Sequence, residues 1–373
     1  MSQVYDTIVI GAGIAGCCAA FVLQQKGQKV LLVDRSGMAA SGGSGAAGAF
    51  VSPKIGKGSP LQKLTNEAFH FSQAFYLEYF PDYFHQTGVI RIPKDAEDAG
   101  KFSLYEAFNE SHYRWVSKEA LETLGIHNAQ DSFLFEEAGV CDAPELCNAI
   151  VAQISFQQFD VDQLIYENAH WTILNAQGAT LSTKNIVLST GYQNTLFDMR
   201  YMGVRGTWGS RGDYESELDL KVSMHKSISV SANVKGIIKI GATHVKAKEP
   251  CIVCNGKPLQ VLEEKAAEIV DTSDFKLKET FCGMRSGSKD YFPLAGKVID
   301  VPYMFESCPA VLRGAKPPLK HMKNLYICNG LGGRGFVFAP LMAEWLAEMI
   351  VEGKEIDPRV NPDRLFLKWC RKL

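Results

Sequence analysis

The sequence predicts an α/β protein in which a parallel, helix-covered sheet is interleaved with a separate antiparallel sheet. Three observations predict it. The chain opens as strand, glycine turn and helix; a second glycine turn near the C-terminus again joins a strand to a helix; and residues 204–244 carry short strand-like segments with no helical period.

The opening element is the most specific. Thr7–Ile10 reads as a strand, Gly11-Ala12-Gly13-Ile14-Ala15-Gly16 as the turn, and Cys17–Gln25 as a helix. A helix N-terminus leaves N–H groups without partners at the positive end of its dipole, which suits a pyrophosphate. Gly11 makes the turn, Gly13 lets the phosphate approach and Gly16 lets helix and strand pack, with Ile14 and Ala15 completing the binding turn. The next strand, Lys29–Val33, ends at Asp34 and Arg35, and Asp34 follows Gly16 at about the spacing that brings a carboxylate to an adenosine ribose. This is a Rossmann-type start. An acid there favours an unphosphorylated ribose, as in FAD or NAD, over NADP. A purely structural βαβ unit is the alternative, and the strand before, the helix after and the spaced acid weigh against it.

Residues 37–49 follow at once and are rich in small side chains. Ser41, Gly42, Gly43, Ser44, Gly45, Gly48 and Ala49 would let backbone amides close around a second phosphate or a flat ring. Leu61–Tyr79 repeats apolar residues at helical spacing and predicts a helix packed on the sheet. Gly88–Ile92 restarts a strand, where the chain leaves the nucleotide-binding region. It returns with a helix capped at Asp142 or Ala143, followed by strands at His170–Leu174 and Ile186–Leu188. The latter runs into Ser189-Thr190-Gly191, small residues that can pass close beside a cofactor. Leu218–Val222, Ser227–Ala232 and Gly236–Gly241 predict the antiparallel sheet, and Gln260–Val270 a helix. The strand Leu325–Cys328 then enters Asn329-Gly330-Leu331-Gly332-Gly333-Arg334-Gly335-Phe336, ahead of a helix from about Pro340 to Val351. Two such loops suit one extended cofactor touched at both ends. The expected division is residues 1–87, 138–203 and 280–373 for the nucleotide-binding part, with 88–137 and 204–279 forming the substrate domain.

With 373 residues, 46% of them hydrophobic, the chain can bury one large core or two joined ones. No segment reaches the roughly 18 apolar residues of a membrane span, and no basic leader precedes the first strand, so a cytoplasmic location is expected. A net charge of −2 provides no general attraction for polyanions; any nucleic acid would have to meet a local patch. Most of the ten cysteines are scattered, as reduced core thiols are. Cys251-Ile-Val-Cys254 has zinc-ligand spacing, but no second pair completes a site, and no metal is expected.

On Asp34, the glycine-rich segment, Leu188–Gly191, Gly283-Met284-Arg285 and Gly330–Gly335, the chain resembles the D-amino-acid oxidase-like family of FAD amine oxidases over nearly its whole length. The resemblance implies two interleaved domains, a Rossmann-type FAD-binding fold and an antiparallel sheet roofing the flavin. Within that family it is similar to the oxidase half of the bifunctional enzymes that modify wobble uridine in tRNA. That narrower likeness rests on Ser41–Gly45 with Gly48–Pro53, on Gly283–Asp290 with Pro293–Gly296, and on Asn361-Pro362-Asp363-Arg364. It implies oxidation of the carboxymethylaminomethyl arm, with release of glyoxylate and formation of aminomethyluridine. Without the methyltransferase half, the reaction is expected to stop there, leaving methylation to a separate methyltransferase. Gly43, Ala46 and Ala47 depart from the more polar loop of that group.

Such chemistry needs a flavin to accept hydride, a cation to fix the carboxylate and a neutral amine. Arg285 is the candidate clamp, because guanidinium offers a bidentate fork that lysine lacks, and the resemblance gives the arginine at this motif the same part. The alternative is a structural ion pair with an acid such as Asp290. Arg334 is expected at the flavin's pyrimidine edge, stabilising the reduced ring, or as a second carboxylate contact. Gly332, Gly333 and Gly335 would let the backbone approach that ring. Tyr192 and Trp208 are candidate pocket walls, with ordinary core packing as the alternative. Related sarcosine oxidases hold flavin through a cysteine near this motif; Cys282 stands one position out of register, so non-covalent FAD is expected. Two basic stretches are candidates for tRNA phosphates: Arg313, Lys316, Lys320, His321 and Lys323, then Arg359, Arg364, Lys368, Arg371 and Lys372. A plain solvated surface is the other reading of them. A free amino-acid oxidase acting on glycine or sarcosine is the competing function, needing the same FAD and Arg285 but no basic surface.

Overall fold

Val4–Ile10 takes the middle of an eight-stranded sheet, pairing in parallel with Val30–Asp34 on one side and Thr180–Leu188 on the other. The structure is a computed structural model describing residues 4–193, 196–245 and 256–373. Ser155–Gln158 and His321–Asn329 extend the parallel centre outward; the hairpin Gln163–Glu167 with His170–Leu174, and the strand Leu294–Ile299, add antiparallel edges. Side chains along the first strand alternate between two cores. Val9 points into one with Phe21, Phe75 and Ala343, and Ile8 into the other with Leu31, Trp171 and Phe366. Both faces are covered, which is why these strands read as unbroken apolar runs.

The first helix, Ile14–Gln25, starts at Gly13 without a side-chain cap, and a Cβ on Gly16 would lie 1.8 Å from the Gly11 carbonyl oxygen. Only glycine permits that crossing. Pro60–Tyr79 is capped by Ser59, whose hydroxyl accepts from the Gln62 N–H, with Pro60 at the first helical position. The C-terminal glycine loop enters its helix earlier than the sequence suggests. That helix spans Gly335–Glu352, with Pro340 inside it rather than at its start. Proline cannot supply the N–H that the Phe336 carbonyl would otherwise receive, and the buried Tyr76 hydroxyl donates to that carbonyl instead, at 2.8 Å.

The second large sheet runs Lys276–Gly287, Arg205–Glu215, Ile237–Gly241, Ser229–Val230, Ser223–His225, Val89–Arg91, Ser132–Phe135 and Arg114–Val116. All neighbours are antiparallel except Ser223–His225 with Val89–Arg91. Leu218–Val222, expected as a strand, is irregular. The Asn233 side chain donates to the carbonyls of Ser216 and Leu218, taking acceptors a neighbouring strand would need. The strand Lys276–Gly287 crosses the boundary expected at residue 280, carrying Arg285 in the antiparallel sheet.

Seven described cysteines are free, while Cys282 is disulfide-bonded, a departure from uniformly reduced thiols. Cys251 and Cys254 lie outside the described residues. Among those residues no helix is long and apolar enough to cross a membrane.

One polar joint ties the antiparallel sheet to the start of the helix Ala143–Val151. Asp142, at the N-terminus of the helix Ala143–Val151, does not cap it through its side chain; it receives His85 Nε2 at 2.8 Å and Lys239 Nζ at 3.0 Å. Burial alone would raise the Asp142 carboxyl, but the His85 hydrogen bond and the Lys239 charge hold it down at about 2. A depressed carboxylate stabilises the fold above its unfolded value near 4, and that contribution fades as pH falls toward 2. Asp142→Asn is therefore expected to destabilise at pH 7 by on the order of 2 kcal/mol and to make stability less dependent on pH between about 4 and 2. Urea titrations across that range check it; parallel curves for both proteins would remove Asp142 from the acid response.

Candidate functional site

A cavity of about 1160 Å³ opens where the parallel strands end against the antiparallel sheet. Ile10, Asp34, Ser189 and Asn329 bring four strand ends to it, the place where open α/β sheets bind ligands. At one end, Asp34 Oδ2 accepts from the Ala12 N–H at 2.8 Å and Oδ1 from the Ser36 N–H at 2.9 Å, so the carboxylate is fixed in direction. At the helix start, the Ile14 N–H donates to Ser44 Oγ at 2.9 Å, closing residues 37–49 over the first turn. A Cβ on Gly13 would sit 3.1 Å from that hydroxyl. The hydroxyls of Ser189 and Thr190 are buried without partners and lie in the cavity lining.

The loop 37–49 is held from behind. Arg211, 1% exposed, donates to the Gly45 carbonyl at 3.3 Å and to that of Ala47, while ion-pairing with Asp213 at 2.7 Å. Its guanidinium also lies over the Phe281 ring, 4.0 Å from the centroid. Asn329 performs a similar service at the other glycine loop. Its amide donates to the Gly191 carbonyl at 2.8 Å, and its oxygen accepts from the Gly330 N–H and from Ser286 Oγ. These groups fit FAD: a directed acid for the ribose, a helix start whose Gly13 leaves room for phosphate, and two lining residues, Ser189 and Thr190, with unpartnered hydroxyls.

All the residues expected to touch cofactor line this cavity, save Gly16 and Gly45. Those two serve backbone approach instead, Gly16 against Gly11 and Gly45 against the Ala40 carbonyl, where a Cβ would fall at 2.3 Å. Tyr192 is in the lining and Trp208 is not; Trp208 is buried within its strand.

Arg285 and Arg334 reach the same cavity. Arg285 donates to the Thr243 carbonyl at 3.1 Å, and Arg334 to the Ser52 carbonyl at 3.3 Å. Arg285 is not paired with Asp290, which instead receives both Nε and Nη2 of Arg364 at 2.9 Å. Its guanidinium occupies space opened by Gly209, where a Cβ would fall 2.4 Å from Nη2. The cavity lining also includes titratable side chains that the sequence reading missed, among them Arg91, Lys54, His225 and His244, with one carboxylate, Asp160. The available signal was Arg91 itself, a charge inside the apolar run Val89–Ile92.

These groups shift one another in one direction. Burial, then the Arg334 charge, brings Arg91 down to about 9, and burial brings Arg334 to about 10. Lys54 and Arg285 are also lowered by burial. The Arg91 charge, followed by burial, holds His225 well below its usual value, and burial with Arg285 lowers His244. Both imidazoles thus take up a proton less readily than a free histidine does. Among the described residues no carboxylate forms a salt bridge with Arg91, Arg285, Arg334 or Lys54. The cavity is a cationic chamber prepared for an anion.

A sequence profile described as FAD dependent oxidoreductase (DAO) matches residues 6–349. Curated relatives include the tRNA 5-methylaminomethyl-2-thiouridine biosynthesis bifunctional protein MnmC of Stutzerimonas stutzeri, 24% identical over 97% of this chain and 59% of that protein. The protein of the same name from Marinobacter nauticus is 24% identical over 96% of this chain and 58% of its own length. The chain thus spans about three fifths of these relatives. Among solved structures, glycine oxidase from Geobacillus kaustophilus superposes with a TM-score of 0.79 at 19% identity, covering 95% of this chain and 96% of that one. That likeness extends to the fold. With the profile covering most of its length and the strand-end cavity built as described, the chain belongs to the FAD dependent oxidoreductase family.

Proposed function

We propose that the chain oxidises the carboxymethylaminomethyl arm of the wobble uridine in tRNA. Two electrons and two protons leave the arm across the bond between its nitrogen and the carboxymethyl carbon, water adds to the carbon of the resulting imine, and that same C–N bond breaks to give glyoxylate and the aminomethyl nucleoside. FAD, held by the Asp34 end and the two glycine loops, supplies the two-electron acceptor. The observation that carries this reading is the cationic chamber itself, set in a chain whose curated relatives are named for tRNA modification.

Arg285 supplies a planar fork for the arm's carboxylate, with Arg334 across the same space. The surrounding cations do more than bind. The Arg91 charge that lowers His225, and the burial and cations that lower Lys54, also disfavour a protonated amine, so the substrate nitrogen loses its proton more readily here than in water. No dedicated protein base is then required. Arg91→Met removes part of that field, raises the pKa of the bound amine and is expected to move the acid limb of the kcat profile to higher pH. An unmoved limb would place the amine's deprotonation outside Arg91's influence.

Oxidation of free glycine or sarcosine is the second reading, favoured by the fold shared with glycine oxidases. Glyoxylate release from tRNA carrying the arm, measured beside release from glycine, separates the two. Efficient turnover of glycine with none on the tRNA would establish the small-molecule oxidase.

The cofactor is expected to be non-covalent, with acid precipitation leaving yellow supernatant and a colourless pellet. Gly13→Val is expected to yield protein with little bound flavin, because its side chain enters the space beside Ser44 that the pyrophosphate needs. Flavin in the pellet would show a covalent link, and full flavin content in the variant would move the phosphates elsewhere.

A further inference from the structure

Residues of the two basic stretches meet different fates in the fold. Arg359 is paired with Asp357 and Glu67, Arg364 with Asp290, and His321 with Asp363, so these three are committed to internal carboxylates. Lys368, Arg371 and Lys372 are exposed and none of them forms a salt bridge among the described residues. They border a second cleft, of about 650 Å³, that also receives Arg200, Arg205 and Lys289. Three stretches distant in sequence thus bring six cations to one place. Two carboxylates are nearby, and both are engaged: Asp198 by Arg200 at 2.8 Å, and Asp290 by Arg364.

The cleft is crowded in a way the free protein does not neutralise. The neighbouring Lys372 ammonium, with Arg205 beyond it, lowers the Lys289 amine. Like charges held together on a surface, where the nearby carboxylates are already engaged by Arg200 and Arg364, favour a polyanion.

Its position gives that polyanion a role. Arg205 stands opposite Gly287 in the antiparallel sheet, and Gly287 lines the cationic cavity. Lys289 borders the cleft, and two residues on, Tyr291 lines the cavity while remaining 77% exposed. Two residues span at most about 7 Å of chain, so cleft and cavity mouth are adjacent. Tyr291 is also held at a positive φ of 68°, a backbone setting uncommon for a non-glycine residue. An exposed aromatic ring beside a basic groove is the arrangement on which single-stranded nucleotides stack.

We propose that this cleft holds the RNA phosphate backbone flanking the nucleotide being oxidised, with Tyr291 as the stacking surface at the cavity mouth. This rests on the tRNA reading and places its substrate contacts. The ligand is single-stranded loop RNA, whose backbone lies along Lys368, Arg371, Lys372 and Lys289 while one base turns inward.

The test uses the flavin-loaded protein and a fluorescent RNA hairpin with an anticodon-type loop, with binding measured by anisotropy at several salt concentrations. The triple variant Lys368→Glu, Arg371→Glu, Lys372→Glu is compared with Lys276→Glu, an exposed charge change at the end of the other sheet. The triple variant is expected to raise Kd at least tenfold and to flatten the salt slope by about 2, as loss of three single-strand phosphate contacts requires. Tyr291→Ala is expected to weaken binding about tenfold with the salt slope retained, since stacking releases no counterions. Kd and slope for the triple variant equal to those of Lys276→Glu would overturn the cleft. So would cleft-dependent binding to phosphatidylserine vesicles without binding to the hairpin. Oxidation of the tRNA arm is assayed separately: hairpin binding that needs the cleft, with no glyoxylate released, keeps the RNA site and rejects the reaction, whereas arm oxidation with a KM indifferent to the triple variant keeps the reaction and rejects the site.

Discussion

Arg285→Ala is expected to lower kcat/KM for the carboxylated amine by about two orders of magnitude or more. Truncating one partner of a buried, hydrogen-bonded charge pair costs about 2–5 kcal/mol, and each 1.4 kcal/mol is tenfold. Arg285→Lys keeps the charge and loses the fork, so its expected deficit is roughly ten- to a hundredfold. Gly209→Ala tests the same clamp without touching it. Its methyl group would fall 2.4 Å from Nη2, and the guanidinium at the end of a flexible side chain is what must move. Activity should therefore drop while the melting temperature changes little. Normal turnover in both Arg285 variants would make the residue structural and pass the clamp to Arg334.

Arg211→Met is expected to give the largest loss of stability. Asp213, 9% exposed, would keep its charge with no partner, and breaking a buried pair in this way costs about 3–5 kcal/mol. For a chain of this size that is about 4–6 °C in Tm. Flavin should leave with it, because the carbonyls of Gly45 and Ala47 lose the donor that holds the loop against the sheet. Replacing Asp213 with Leu in the same protein removes the stranded charge and should recover most of the melting temperature while flavin remains loosely held. Melts followed by circular dichroism and by flavin fluorescence distinguish the two effects. If the double variant binds flavin as tightly as the native chain, Arg211 acts on stability alone.

What could be read from the sequence was local. The first turn, the acid at Asp34 and the loop before Phe336 each carry their chemistry within a few residues, and the strand and helix around them follow from short-range pattern. What could not be read depends on separation. Arg91, Lys54 and His225 belong to three distant segments, and nothing in any one of them announces the others. Arg364 looked like a surface cation because Asp290 lies far upstream, and only the fold makes them a bidentate pair. The early start of the Gly335 helix hangs on the Tyr76 hydroxyl, a contact across hundreds of residues that substitutes for the N–H that Pro340 lacks. The missing strand at Leu218–Val222 is a case of side-chain competition, in which Asn233 claims backbone acceptors that apolar alternation had assigned to a neighbour.

The interleaving of the two sheets also sets an order in time. The cavity takes its first lining from Ile10 and its last from Phe338, and Arg364 then steadies Asp290 beside the mouth. On a ribosome the N-terminal portion emerges first, so the opening strand, turn and helix exist long before the loop that closes around the other end of the cofactor. A nascent chain presents Gly11, Gly13 and Asp34 early, yet the cavity lacks its other end until Phe338 has emerged. The cavity is thereby complete only once Phe338 has been made, and a chain stalled before it would lack the second glycine loop.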